Sequence, residues 1–475
     1  MPDRRIYVLS PKELSPETIA VAFAKTSRSP ETFDAIAAGL TDEKSAQFHE
    51  KWVVGYGHAS VAEHAVLHVA FENVSRLAIE CLESNRLASY TEKSTRYQKW
   101  TPDDFHSPAE LRDHALLDEF TRVCRLLFGI YRDSLDPVRD VVVRRTDRRE
   151  NESAEALDRR VRSQYVDVCR FLLPAAALAN VGMTANARVL ENALRKLLSH
   201  ELQEVREIGE QLKAVALVEI PTLVKYAEPV PYLVETGRRL ALESLPGSEA
   251  STSADSRGEA CVLADYDPDG ENNVLAAALY RYGELPFSQR LAQVKALSTE
   301  ARERLAEDLL GNLQLHDVPL RELEHCAYTF DLIMDQGAYA EFKRHRMMSQ
   351  TPQRLSTNLG YSIPRLMDEA GLRASYEAGM QEAARLHQIL NEYSPHVAQY
   401  IVPNGFHRRV LASFNLREAF AFCELRTAPN AHFSIRRIAS GVAEEIRRVH
   451  PLLAKYMRLS DESARAVQEK HFASP

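Results

Sequence analysis

What most constrains this chain is a set of landmarks that occurs twice in the same order. In the first half, Arg86 lies 22 residues after the His of Glu63-His64; in the second, Arg346 lies 21 residues after the His of Glu324-His325. Further on, CRFLLP ends at Pro174 and Asn186-Ala187-Arg188 begins twelve residues later, while QYIVP ends at Pro403 and Asn415-Leu416-Arg417 begins twelve residues later. Matching intervals in a fixed order are the mark of an internal repeat. The stretch Leu245 to Gly258, LPGSEASTSADSRG, has no apolar periodicity and the composition of a flexible linker. The expected organisation is a first domain at 1–244, a linker at 245–258 and a second domain at 259–475.

One interval differs. Arg86 to Pro174 spans 88 positions and Arg346 to Pro403 spans 57, so the first copy carries about 31 extra residues. We place them near 138–162, VRDVVVRRTDRRENESAEALDRRVR, a run dense in Arg and acid. A solvated helix or loop is the ordinary reading of such a run, and phosphate binding is the alternative. The rest reads as helix-rich. NARVLENALRKLL and EVREIGEQLKAVALVEI repeat apolar residues at i, i+3, i+4 and i+7, and residues 58–83 pass from alternation to helical spacing. Strand candidates are RIYVLS, ACVLADY, VLHVAF and CAYTFDL. Each half is therefore expected to be a helix-rich α/β (α+β) domain around a small sheet.

Composition narrows the function classes. With 59 Lys+Arg against 67 Asp+Glu, the net charge of −8 argues against a general nucleic-acid coat. No apolar run approaches the ~20 residues of a membrane span, and the start, MPDRRIYVLSPKEL, lacks a signal-peptide apolar stretch. The six cysteines form no CxxC pair and the sixteen histidines no HExxH, which gives no support to metal or disulfide chemistry. A cytoplasmic protein with reduced thiols is the expectation.

Two segments carry candidate chemistry. Arg344-His345-Arg346 sets two cations about an imidazole ahead of the polar SQTPQRLSTN, a set able to grip a phosphate or an electron-rich ring, although such a triplet is also an ordinary solvated helix end. The equivalent Ser84-Asn85-Arg86 leads into LASYTEKSTRYQKW, where Glu92, Ser94 and Arg96 alternate with Lys93 and Thr95. Hydroxyls, a guanidinium and backbone amides in one loop make a phosphate cradle or a plain polar turn.

Taken in order, GHASVAEH (Gly57 to His64), SNRLASYTEKSTRY, CRFLLP and TANARVLENAL resemble the flavin-dependent thymidylate synthase family over roughly 1–230 and 259–460. The family signature is Arg-His-Arg, seven residues, then Ser. Ser84-Asn85-Arg86 followed by Ser94 keeps its spacing and final Arg, whereas the second half keeps Arg-His-Arg but has Arg354 in place of Ser. The resemblance implies FAD contacts at Ser60, Arg86, Asn186, Arg188, Asn192, Arg344, His345, Arg346, Asn415 and Arg417. It implies dUMP contacts at Glu92, Lys93, Ser94, Thr95, Arg96 and Arg170, and an Arg acting at N3 of the uracil at Arg426. In the first half that last role falls near Arg195 or Lys196. Departures are Ser84 and Asn85 in the first half, and Pro352, Arg354, Ser356 and Gln399 in the second.

The implied activity is reductive methylation of dUMP to dTMP, with FAD as cofactor and NADPH and methylenetetrahydrofolate as co-substrates. Two alternatives stand beside it: a flavoprotein of this fold acting on another pyrimidine nucleotide, and a non-catalytic nucleotide- or RNA-binding scaffold. Because the family forms homotetramers, two tandem chains would pair as a pseudo-tetramer. Its halves would be related by a pseudo-twofold axis, and its sites shared between copies.

Overall fold

The computed structural model of the chain describes residues 5–94, 98–243 and 260–474. The first copy runs β1 (Val66–Ser75), α1 (Arg76–Glu83), β2 (Ser89–Glu92), α2 (Leu117–Arg145), α3 (Ala154–Cys169), β3 (Leu178–Asn186), α4 (Ala187–Leu198) and α5 (Gln203–Glu219). The second runs β4 (Cys261–Tyr266), β5 (Ala327–Asp335), α6 (Gln336–Phe342), β6 (Ser349–Pro352), α7 (Arg365–Glu369), α8 (Arg373–Tyr393), β7 (His407–Asn415), α9 (Leu416–Thr427), α10 (Phe433–Val449) and α11 (Ala464–His471).

Packing divides the chain differently from duplication. Unit 1 holds the described residues within 1–93, 104–117 and 176–251; unit 2 holds those within 94–103, 118–175 and 252–475. Helices α2 and α3 thus belong to the first copy in sequence and to unit 2 in space. The Ser/Gly-rich linker lies outside the described residues, apart from the Pro231–Glu243 helix that precedes it.

In unit 1 the sheet order is β1-β3-β2, all antiparallel. The central strand β3 buries Ala179, Val181, Met183 and Ala185 on one face, the period of two that a half-covered strand requires. Asn186 then caps α4, its side chain accepting from the Val189 N–H. The helix buries Val189, Leu190, Ala193, Leu194 and Leu197, the stripe its sequence spacing predicts.

Unit 2 repeats this plan with one more strand, in the order β4-β5-β7-β6. Register matches position for position: Val66 faces Asn186 as Ala327 faces Asn415, and Ser89 faces Thr184 as Ser349 faces Ser413. The one-residue difference between the 22- and 21-residue intervals is a β-bulge. Register in β1 slips between Phe71 and Val74, where Asn73 takes φ 55° and its N–H reaches the Asn180 side chain. The core of unit 2 stacks Phe330 on Phe414 (5.5 Å between ring centroids) and packs Phe342 edge-on to Phe422, over Ile435, Ile438 and Val442 of α10.

Two sequence expectations are corrected. RIYVLS, expected as a strand, forms none: Ile6 and Val8 are exposed, and Tyr7 instead meets Asp34. The segments read as polar loops after Arg86 and Arg346 begin as strands β2 and β6. ACVLADY, VLHVAF and CAYTFDL do supply β4, β1 and β5. The extra residues of the first copy form the end of α2, the connection and α3. Within unit 2, Pro174 pairs with its own counterpart Pro403, flanked by Ala175 N–H to Val402 O and Asn404 N–H to Leu173 O. Helix α8 lies close on α2: a Cβ at Gly379 would sit 2.8 Å from Ile130 Cδ1, so a larger residue there requires the end of the Ile130 side chain to move.

Candidate functional site

The densest ionisable cluster near the expected site residues lies in unit 2. Burial places His345 on the turn after α6 with only 8% of its surface exposed, edge-on to Phe422 at 4.9 Å. Arg426, on the last turn of α9, sends Nε to His345 Nε2 (3.0 Å) and Nη1 to Glu341 Oε2 (2.8 Å). An Arg cannot accept a hydrogen bond, so Nε2 is the acceptor and the Nδ1–H donates to Glu418 Oε1 (3.1 Å). The imidazole is therefore neutral, in keeping with a pKa lowered mainly by burial, with Arg426 lowering it further and Glu418 opposing.

Arg170 joins the same cluster from the first copy. It is 5% exposed, 3.6 Å from Asp167 and 3.8 Å from Glu341. Glu341 thus lies between two guanidiniums, one from each copy. Neither Glu341 nor Glu418 was legible as a site residue; the available signals were Glu341 one helical turn before His345 and Glu418 three residues after the cap Asn415. Gln399, where the matching position of the first copy has Arg170, accepts from the Leu355 N–H (3.1 Å) and so holds the altered 353–356 loop.

The remaining expected residues are dispersed. Asn415 caps α9 through the Glu418 N–H, and Arg417 donates to Pro319 O (2.9 Å) and contacts Glu324. Arg344 and Arg346 are exposed. In unit 1, Glu92 ends β2 and pairs with Arg76 at 2.8 Å, its side chain 3% exposed. Lys93 N–H donates to Asn180 O, and Ser94 O accepts from Gln98 N–H. Thr95 and Arg96 lie outside the described residues. Ser60, Arg86 and Asn192 are exposed, and Arg188 pairs with Glu63. Between Arg195 and Lys196, geometry distinguishes: Arg195 bonds Glu191 along its own helix, while Lys196 Nζ donates to the buried Asn85 Oδ1 (3.1 Å). That bond is the first-copy counterpart of Arg426 to His345. Burial lowers the Lys196 pKa, and neighbouring Arg86 adds to the effect.

The donor set can be tested against a flavin. Exposed Arg344 and Arg346 suit its diphosphate, whereas both His345 nitrogens are already engaged within the protein. The fit is through the flanking arginines. Among the described residues no His, Cys, Asp and Glu group could hold a metal ion, and no helix is long and apolar enough to cross a membrane.

Fold and cluster define a tandem α+β protein whose copies share one antiparallel register. The chain belongs to the thymidylate synthase complementing protein family, which it matches over residues 10–222 and 262–452. It is similar along most of its length to a UPF0159 protein of Chlamydia muridarum (32% identical over 437 residues, 89% of this chain and 82% of the relative). A UPF0159 protein of Thermoplasma acidophilum is 28% identical over 455 residues, 88% of this chain and 89% of the relative. A flavin-dependent thymidylate synthase of Thermococcus kodakarensis is 30% identical over 207 residues, 42% of this chain and 74% of the relative.

Proposed function

We propose that the chain is a flavin-dependent enzyme that methylates dUMP to dTMP, with methylenetetrahydrofolate and NADPH as co-substrates, and that two chains pair as a pseudo-tetramer. The observation that carries this reading is the meeting of Arg170 and Arg426, from different copies, on either side of Glu341. Arg170 would take the nucleotide phosphate. Arg426, permanently charged, would offset negative charge developing at O2 and N3 of the uracil. Glu341, with Asp167 beside Arg170, balances the two guanidiniums in the free protein and gives way to the nucleotide anion. Arg344 and Arg346 would hold FAD, which when reduced supplies a hydride.

A second reading, a nucleotide-binding scaffold without turnover, is favoured by Glu341 and Glu418, which consume the charges of Arg426 and the donor of His345. Expression in a thymidine-requiring strain separates the two. Rescue together with a yellow purified protein supports the enzyme; a colourless protein that takes up no FAD and rescues no growth overturns it.

A further inference from the structure

The Arg-rich run of the first copy, which the reading above leaves unused, lines a cavity in unit 2. This cavity, about 860 Å³, lies among α2, α3, α7, α10 and α11, within the ~300–1,000 Å³ of small-molecule sites. We infer that it is a second binding site, for a phosphorylated small molecule of nucleotide size.

Charge and unmet hydrogen-bonding capacity support this together. Six cations line the cavity: Arg145, Arg149, Arg160, Arg365, Arg436 and Lys470, with Asp167 the one lining carboxylate among the described residues. Three more carboxylates touch these cations from outside the lining: Glu369 on Arg145, Glu152 on Arg160, and Glu462 on both Arg436 and Lys470. Two positive charges remain in excess. Arg365 forms no carboxylate ion pair among the described residues and spends Nη2 on the Phe472 and Glu469 carbonyls, while Arg149 meets Glu152 through its backbone N–H, a carboxylate already paired with Arg160.

Arg436 is 7% exposed, yet its buried Nε has no hydrogen-bond acceptor, and the same holds for Arg365 Nε, while the buried His471 Nε2 also has no partner. Buried donors without acceptors are uncommon in folded proteins. Two guanidinium donors at one cavity, with the His471 nitrogen beside them, mark the place where an anion's oxygens would sit. The lining also includes the apolar Val142, Val168, Leu366 and Phe433, so the ligand carries an uncharged body beside its phosphates. His471, stacked on Phe433 at 5.1 Å, reports the field: burial first, then Arg436, Lys470 and Arg365, lower its pKa to about 4.

Calorimetric titration of the full-length protein with ADP and with inorganic pyrophosphate tests the site. We expect saturable binding of both, with ADP the tighter because it also covers the apolar wall. Arg365→Gln and Arg149→Gln each weaken ADP binding at this site about tenfold, the loss of one charge-assisted contact, while Arg346→Gln, which acts at the flavin arginines, weakens only any second binding event there. Arg149 is exposed, so its variant keeps the fold even if a change at Arg365 does not. The His471 ring, followed by NMR and assigned with His471→Gln, titrates at higher pH once ADP is bound. Absence of binding at millimolar probe, displacement by equimolar sulfate, or loss in Arg346→Gln with Arg149→Gln intact each overturns the inference.

Discussion

After α1 the chain turns through Ser84-Asn85-Arg86, and after α6 it turns through Arg344-His345-Arg346. Each turn is held by a side chain from the following strand that reaches the same two carbonyls. In the first copy Tyr90 Oη donates to Leu82 O and Asn85 O; in the second, Gln350 Nε2 donates to Phe342 O and His345 O. A deeper pair is exchanged outright. Ser75 caps α1 and donates to buried Glu204 on α5, whereas Asp335 caps α6 and accepts from Ser434 on α10. Donor and acceptor have traded strands and helices while the bond persists, because burying either group alone is costly. Charge follows no such rule. The second copy gathers Glu341, His345, Glu418 and Arg426, and the matching positions of the first carry Cys81, Asn85, Val189 and, through its contact, Lys196. Backbone geometry tolerates changes of partner, and the ionic content of the site diverges separately.

That contrast can be broken most forcefully at the exchanged pair. Asp335→Ala removes a helix cap and strands a buried hydroxyl, for a loss of about 3 kcal/mol in urea unfolding. Installing the first-copy arrangement, Asp335→Ser with Ser434→Glu, should recover most of it; no recovery would mean the two pairs are not equivalent. The next effect lies at the guanidinium. Arg426→Lys should lower dTMP formation by about 2 kcal/mol, roughly thirtyfold, because an ammonium lacks the planar fork, whereas Lys196→Arg should change it little. Equal effects at the two positions would remove the distinction between the copies.

Smaller, and opposite in sign, is the effect at Glu341. Glu341→Gln removes the carboxylate that competes with a nucleotide phosphate, and dUMP should bind about tenfold tighter, ~1.4 kcal/mol. Weaker binding would mean that Glu341 orients the arginines instead of occupying them. Smallest is the pH response. Burial, aided by Arg426, keeps the His345 pKa below its ordinary 6.5, so the unfolded chain takes up this proton first as pH falls. Its contribution to stability is complete above about pH 6.5 and is lost as pH drops through the lower folded value. His345→Asn, the first-copy residue, should flatten that acid limb in unfolding measured between pH 7 and 5; an unchanged slope would locate the titration elsewhere.

The duplication, β1, β4, β5 and α4 were legible because each rests on spacing along the chain. The central strands β3 and β7 were not. LANVGMTAN alternates correctly, but Gly182 and its alanines dilute the strand preference, and Arg408 is buried in β7 with its guanidinium over Tyr339. RIYVLS misled in the other direction: its pattern suits a strand, yet no strand among the described residues pairs with it. The site was legible at Arg170, His345 and Arg426, named through the resemblance, and not at its carboxylates. Glu341, Glu418 and Arg170 meet through tertiary packing, which no spacing along the chain encodes.

The pairing of Pro174 with Pro403 has a consequence for synthesis. These residues are 229 positions apart, and at ~5–20 residues per second the ribosome needs roughly 10–50 s to reach the later one after the earlier. Throughout that interval α2 and α3 have left the ribosome while the helices and strands that cover them do not yet exist. Leu127 and Ile130 of α2, which meet Gly379 of α8 in the folded chain, wait in water for a partner encoded in the second half of the message. Slowing translation across residues 260–400 therefore lengthens the time in which the nascent chain is exposed to chaperones, proteases and its neighbours on the same polysome.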